Sequence, residues 1–254
     1  MKIISYNVNG IRAAIKKGLV DFIQRADPDI VCIQETKAHI EDINAKLFED
    51  LGYHTYWHCA DKKGYSGVGI LSKKKADKVI IGCGIPEYDR EGRVIQIEID
   101  DLVIVNTYFP SGSSGEERQA VKMKFLPDYY EYINQLKSKY ENLIICGDYN
   151  ICHRAIDIHN PVGNKNSSGF LPEERAWMDQ WFDNGMIDSY RYFYPDTAHQ
   201  YSWWSARFNS RANNKGWRID YISVSEKLKD RLKSASILQE EVHSDHCPIS
   251  LEIK

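Results

Sequence analysis

The sequence predicts an α/β protein in which two β-sheets pack face to face with helices outside them. Three observations carry that expectation. Short runs rich in Ile and Val recur along the chain, each stopped by turn residues or polar groups. Helical periodicity is confined to a few segments. Several strands follow one another with no helix between them, which disfavours a simple parallel β-α-β series.

Taken in order, strands are expected at residues 2–8, 30–34, 53–58, 67–72, 78–82, 93–99, 102–108, 143–147, 200–204, 218–224, 235–239 and 248–253. Helical patterns cover 12–25, 41–50, 116–139 and 173–184, and Pro172 ahead of Glu173 and Glu174 gives the last a good start. "EIDDLVIV" predicts a tight hairpin around Asp100 and Asp101. No linker, repeat or low-complexity stretch interrupts the chain, so a single domain over 1–254 is expected. Segments 110–117, 159–170 and 205–217 are the most polar and turn-rich, hence the candidate functional loops.

Composition narrows the function classes only modestly. Hydrophobic residues make up 43% and charged residues 27%, the balance of a soluble protein with ample core material. A net charge of −3 gives no bulk attraction to phosphate, so a nucleic acid would have to meet a local basic face. The cysteines at 32, 59, 83, 146, 152 and 247 are scattered, without the spacing of a zinc site or a disulfide framework. "MKIISYNVNG" enters a strand-like alternation directly, and no apolar run approaches a membrane span. A cytoplasmic monomer without membrane contact is the expectation.

Apolar strands repeatedly end in residues that bind metals, protons or phosphates. "KIISYNVNG" delivers Asn7 and Asn9, and "DIVCIQETK" delivers Glu35. "LVIVNTYFP" delivers Asn106 and Tyr108, while "NLIICGDYN" delivers Asp148 and Asn150. "WRIDYISV" carries Asp220, and "HSDHCPI" carries Asp245 and His246. An isolated Asn or Asp at a strand end is ordinarily a turn or cap residue. A sandwich, however, gathers strand ends at one rim. Period-2 alternation predicts that Asn7 shares a face with Asn9, and Asp148 with Asn150. Acids, amides and a histidine at a shared rim describe metal-assisted hydrolysis. Oxygen donors suit Mg²⁺, with Mn²⁺ as a substitute, and point to a phosphate ester as substrate.

In their order, "SYNVNGIRA", "IVCIQETK", "NTYFPSG", "GDYNI", "NPVGNKNSSGF", "GWRIDY" and "SDHCPI" resemble the exonuclease III group of apurinic/apyrimidinic (AP) endonucleases. That group lies within the DNase I-like superfamily of endonucleases, exonucleases and phosphatases. The resemblance spans essentially the whole chain. It implies a four-layer α/β/β/α sandwich and Mg²⁺-dependent cleavage of the DNA backbone 5′ to an abasic site. A 3′-hydroxyl would be left, with 3′-5′ exonuclease and 3′-phosphatase activity as possible companions on blocked 3′ ends. It further implies metal ligation by Glu35 with Asn9 and Asp245, supported by Asn7. Asp148 would position or deprotonate the attacking water, with Asn150 beside it. His246, oriented by Asp220, and Tyr108 would contact the scissile phosphate. Asn164 would touch DNA, and Trp203, Trp217 and Ile219 would wall the pocket for the flipped-out abasic sugar. Two positions depart from the family pattern. Asn9 stands where one branch has Asp, and Ser167 stands where a second loop asparagine can occur.

A pocket for a sugar without a base should be small and apolar, because it excludes an intact nucleotide sterically. Trp203, Trp204 and Trp217 are its candidate walls, with ordinary core packing an even alternative for Trp204. "SARFNSRANNKGWR" carries Arg207, Arg211, Lys215 and Arg218 with no acid, which reads as a phosphate clamp beside a rim of acids. Two other readings stand beside a repair nuclease of double-stranded DNA. One is a phosphatase or phosphodiesterase of lipid headgroups or inositol phosphates, and the other is a DNA-binding module without catalysis.

Overall fold

Along each central strand the side chains alternate between two environments, and that alternation builds the layers. The computed structural model describes residues 1–254. Its strands are β1 (Lys2–Asn7), β2 (Ile30–Gln34), β3 (His54–His58), β4 (Val68–Ser72), β5 (Lys78–Ile81), β6 (Val94–Ile99) and β7 (Leu102–Tyr108). They continue with β8 (Leu143–Asp148), β9 (Met186–Asp188), β10 (Trp203–Trp204), β11 (Gly216–Trp217), β12 (Asp220–Ser225), β13 (Leu232–Ile237) and β14 (Ile249–Ile253). One six-stranded sheet runs β13-β14-β1-β2-β4-β3 and the other β5-β6-β7-β8-β12-β9, while β10 and β11 form a separate small pair.

Ile3, Ile30, Cys32, Ile70, Ile104, Ile144, Cys146, Ile222 and Leu251 meet between the two sheets. Their strand neighbours point outward. Ile4, Tyr6, Val31 and Ile33 pack against helices α1 (Ile11–Lys16), α2 (Leu19–Ala26) and α3 (Lys46–Glu49). Val103, Val105 and Ile145 pack against α4 (Pro86–Asp89), α5 (Glu116–Lys137) and α6 (Pro172–Asp183). A last helix, α7 (Ser189–Phe193), follows β9. The layer order is therefore the expected helix, sheet, sheet, helix.

Element boundaries differ from expectation where backbone torsion intervenes. The helix expected over 12–25 breaks at Gly18, whose φ of 96° is left-handed. The helix expected over 41–50 is reduced to a 3₁₀ turn and α3. The strand expected over 200–204 shrinks to β10, which pairs with β11, and the strand expected over 218–224 starts only at Asp220 as β12. The Asp100–Asp101 hairpin forms as read, with Asp100 at φ 52°.

Topology then gathers the polar ends. The pairs β1–β2 and β7–β8 are parallel, so Asn7, Gln34, Tyr108 and Asp148 end their strands at one rim. Antiparallel pairing of β12 with β8 starts β12 there, with Asp220 directly opposite Asp148. Antiparallel pairing of β14 with β1 brings the preceding Asp245 and His246 to the same place.

Arg218 does not join a phosphate clamp. It is 1% exposed and donates from Nε to Asp157 at 2.7 Å and from Nη2 to Asp188 at 2.7 Å. Arg191 donates to the same Asp157 oxygen at 2.5 Å. An arginine with a buried and a half-buried carboxylate within reach is drawn inward, whatever the charge of its own loop. Arg211 is likewise structural: its guanidinium donates to the carbonyls of Ser244, His246, Gln239 and Glu241 and lies 4.5 Å over the Trp204 ring. Trp204 is thus a core residue.

Burial raises the Asp157 pKa, but the charges of Arg218 and Arg191 more than reverse this and hold it far below the usual carboxylate range. Its contribution to stability is therefore complete above about pH 4, the unfolded value, and drains only as pH falls toward the depressed folded value. Asp157→Asn should cost about 3–5 kcal/mol at neutral pH, because buried Arg191 loses its counter-charge and buried Arg218 keeps only Asp188. Urea unfolding at neutral and acid pH checks this. The deficit should shrink in acid, and a deficit that grows there would contradict the sign.

Candidate active site

At the rim, the chain leaves three strands through left-handed corners. Asn9 has φ 44°, Glu35 φ 56° and Asn150 φ 53°. Each corner turns a side chain out of the sandwich instead of continuing the strand. Asn7 Oδ1 accepts the Asn9 N–H at 2.9 Å, and Asp148 Oδ1 accepts the Asn150 N–H at 2.8 Å. Asn9 and Asn150 thus lie beyond their strands. They meet Asn7 and Asp148 through side-chain-capped turns, not through the strand alternation expected from sequence.

The deepest part of the site joins the two sheets. Asn7 Nδ2 donates to Asp148 Oδ2 at 2.8 Å. His246 Nδ1 lies 2.9 Å from Asp220 Oδ2, which also accepts from Ser202 Oγ at 2.6 Å. His246 Nε2 lies 3.9 Å from Asp148 Oδ2. Asp148, Asp220 and His246 are all buried, and their ligand atoms lie within 4.8 Å of one another, an arrangement that would hold a cation only with His246 deprotonated. Burial disfavours a charged His246, yet Asp220, Asp148 and Asp245 together push its pKa up to about 10. Burial, reinforced by Asp220, raises the Asp148 carboxyl well above its usual range, with His246 and the Asn150 N–H opposing.

Nearer solvent, Glu35, Asn9 and Asp245 form an oxygen-lined group. Lys37 Nζ lies 2.9 Å from Glu35 Oε1 and donates to Asn9 Oδ1 at 2.5 Å. Asn9 Nδ2 donates to Asp245 Oδ1 at 2.9 Å, and Trp203 Nε1 donates to Asp245 Oδ2 at 3.1 Å. Burial would raise the Asp245 pKa, but the His246 charge and hydrogen bonds from Asn9, Trp203 and Ser244 bring it below the usual value. Oxygen donors around a site already bridged by an ammonium fit a hard divalent cation. Asn7 sits behind this group and accepts the Asn9 N–H at 2.9 Å. It is fully buried, its amide is given to Asp148, and it acts as a clamp between sheets.

These groups open onto a cleft of about 830 Å³. Asn9, Glu35, Tyr108, Asp148, Asn150, Asp245 and His246 line it together with Trp203, Trp217 and Ile219. Burial, then the charges of Glu35 and Asp148, hold the Tyr108 phenol far above its usual pKa, so it stays a donor. The Trp203 and Trp217 rings meet edge to face at 5.9 Å. Ser167 also lines the cleft, whereas Asn164 does not. The Asn164 amide is given to the carbonyls of His159 and Asn160 within its own loop. Arg207 is exposed outside the lining.

Sequence reasoning passed over several rim residues. Gln34 Nε2 donates to Asn106 Oδ1 at 2.6 Å across the two sheets. Arg93 lies under the cleft, donating to the Tyr108 carbonyl at 2.9 Å, with its guanidinium 5.1 Å from the Tyr108 ring centre. Lys37 and Gln34 flank Glu35 in "QETK", and inward alternation from Ile30 and Cys32 predicts Gln34 at the rim. No local signal marks Arg93.

A model of the Endonuclease/Exonuclease/phosphatase family matches residues 4–246. An exodeoxyribonuclease of Bacillus subtilis (strain 168) is 43% identical over 254 residues, spanning 100% of this chain and 99% of its own length. The DNA repair nuclease APEX1 of Danio rerio is 41% identical over 253 residues, spanning 99% of this chain and 81% of its own. The structure of an AP endonuclease from Archaeoglobus fulgidus matches with a TM-score of 0.91 at 27% identity, covering 100% of this chain and 99% of that one. No helix is long and apolar enough to cross a membrane. With a matching fold, a family model along nearly its whole length and relatives at 43% and 41% identity, the chain belongs to the endonuclease/exonuclease/phosphatase family.

Proposed function

We propose that this protein is a DNA-repair phosphodiesterase that cleaves the backbone 5′ to an abasic site by Mg²⁺-dependent hydrolysis, leaving a 3′-hydroxyl. The whole chain acts as one catalytic unit on double-stranded DNA, and 3′-exonuclease or 3′-phosphatase action on blocked ends belongs to the same chemistry. One observation carries the reading: phosphate-handling groups and a two-tryptophan wall share a single cleft. Relatives named as an exodeoxyribonuclease and as a DNA repair nuclease support it, as does a similarly folded 3′ phosphatase from Neisseria bound to a product DNA hairpin, at a TM-score of 0.92 and 26% identity. A lipid or inositol headgroup gives no reason for the paired indoles.

Glu35, Asn9 and Asp245 would hold the metal. When bound, Mg²⁺ neutralises phosphate charge and steadies the leaving oxygen. Asp148, fixed by Asn150 and Asn7, orients the attacking water and takes its proton, for which burial raises its basicity. His246 keeps Nδ1 toward Asp220 and turns Nε2 to the phosphate oxygens, where its charge is stabilising. Tyr108 donates a second hydrogen bond to the same phosphate. Trp203, Trp217 and Ile219 would form the apolar wall against which the base-free sugar rests.

Asp148→Asn and His246→Asn should each lower kcat by roughly 10²- to 10⁴-fold while leaving DNA binding measurable. Nicking of a duplex carrying one abasic analogue, followed on a denaturing gel beside a binding titration, decides this. The same assay with EDTA should show no nicking, and added Mg²⁺ should restore it. Metal-independent nicking, or hydrolysis of an inositol phosphate in its place, would overturn the reading. Trp203→Phe keeps the ring wall but removes the N–H given to Asp245. It should raise the Mg²⁺ concentration for half-maximal activity by about tenfold, the usual effect of losing a partner of a ligating carboxylate. An unchanged Mg²⁺ dependence would detach Trp203 from the metal group.

A further inference from the structure

One fully buried ion pair lies behind the cleft and takes no part in the chemistry described above. Lys122, on the inner face of α5, and Glu174, in the first turn of α6, are both 0% exposed, with Nζ and Oε1 2.6 Å apart. Removing two charges from water is costly, and packed apolar residues of similar volume often serve stability as well or better. What the pair supplies instead is a donor and an acceptor for main-chain groups that helices and sheets leave unpaired. Lys122 Nζ donates to the Asn150 carbonyl at 2.7 Å. Glu174 Oε2 accepts the N–H of Gly169 at 2.6 Å and of Leu171 at 3.0 Å. Gln119 Nε2 donates to Glu174 Oε1 at 3.1 Å, and its Oε1 accepts from Ser168 Oγ at 2.6 Å.

Two of these three main-chain targets, at Asn150 and Gly169, border the cleft. Asn150 gives its N–H and its side-chain amide to the two Asp148 oxygens, at 2.8 and 3.3 Å. Lys122 therefore holds the remaining main-chain polar group of a left-handed corner that steers Asp148. Gly169 is pressed against both sides of the site: a Cβ there would lie 3.0 Å from the Asn150 carbonyl oxygen and 3.1 Å from the Trp217 ring. Glu174 thus fixes the strip of chain between the acid and the indole wall.

We propose that Lys122 and Glu174 are positioning residues for the reaction, setting the separation between the Asp148 carboxylate and the Trp217 wall through the Asn150 carbonyl and the Gly169 N–H. This rests on the nuclease reading above. The pair touches neither substrate nor metal, and a displacement of its two targets is felt at the water and at the sugar. A misplacement of about 1 Å suffices to cost on the order of a hundredfold in rate.

The test separates positioning from stability. Lys122→Met/Glu174→Gln removes both charges together, keeps an acceptor for Gly169, and leaves the Asn150 carbonyl without its donor. It is compared with wild type, Lys122→Arg and the slowed Asp148→Asn on a duplex with one abasic analogue, with thermal midpoint, kcat and KM read for each. The expected result is a thermal midpoint close to wild type with kcat lowered by about tenfold to a hundredfold, KM within about twofold, and most of the rate kept by Lys122→Arg, which retains a donor. A folded double variant with wild-type kcat overturns the inference, as does Lys122→Arg losing as much as the double variant. Should the double variant not fold, Lys122→Gln, which shortens the reach to Asn150, is read by the same criteria. A wild-type protein that does not nick the duplex removes the nuclease reading itself; nicking by wild type with full rate in the double variant removes only the positioning role.

Discussion

His246 stands between two buried carboxylates, and the rest of the site depends on that fact. Asp148 and Asp220 face each other on neighbouring antiparallel strands, a placement that like charges would ordinarily forbid. Inside a sandwich, far from bulk water, their repulsion is weakly screened. His246 relieves it by binding Asp220 at 2.9 Å and facing Asp148 at 3.9 Å. Hydrogen bonds from Asn7, Asn150 and Ser202 complete the compensation. Asn7 and His246 belong to the opposite sheet or its lead-in, so the two sheets cannot separate at the rim without leaving charge unpaired. The register of β8 with β12, the seating of β14 beside β1 and the Asn7 clamp are consequences of one electrostatic requirement.

The fold makes such a site by a change of chemistry along a constant geometry. Between the sheets, β1 presents Ile3 and then Ser5 and Asn7, β2 presents Cys32 and then Gln34, and β8 presents Cys146 and then Asp148. The alternation never changes; only the residue type does, toward the rim. Past that point, the corners at Asn9, Glu35 and Asn150 take left-handed torsions that cost about 1–3 kcal/mol each in ordinary surroundings. Hydrogen bonds from the preceding strand residues hold two of them, so the site is rigid before any ligand arrives.

That geometry explains what the sequence could disclose. Strand ends are local signals, and Glu35, Tyr108, Asp148, Asp220, Asp245 and His246 were all legible as polar residues closing or opening apolar runs. The layer order followed from hairpins and helices counted along the chain. Burial of charge is a different matter, because it depends on partners distant in sequence. Arg207 and Arg218 look alike in a loop without acids, yet one is exposed and the other is drawn inward by Asp157 and Asp188. Lys122 reads as one lysine among several on a long helix, and only the arrival of Glu174 makes it an interior group. Strand alternation does not place Asn9 and Asn150: Asx-type turns bring them to the rim.

Two buried charge clusters flank the cleft, and their placement follows from what each side must present. On one side Asp157 binds Arg191 and Arg218, and the Arg218 N–H donates to the Asp157 carbonyl, fixing the chain between Trp217 and Ile219. On the other, Lys122 and Glu174 hold Asn150 and Gly169. An apolar core could support either side at lower desolvation cost, but it cannot offer a donor or an acceptor to a main-chain group of irregular backbone. The walls of this cleft are loops and strand-end corners, whose main-chain groups lack ladder partners. Charged side chains reach them from neighbouring elements, and their directionality fixes where each wall stands. A site built on strand ends therefore requires buried ions away from its chemistry, because the flexibility that lets a corner turn outward must be removed by something that bonds to backbone.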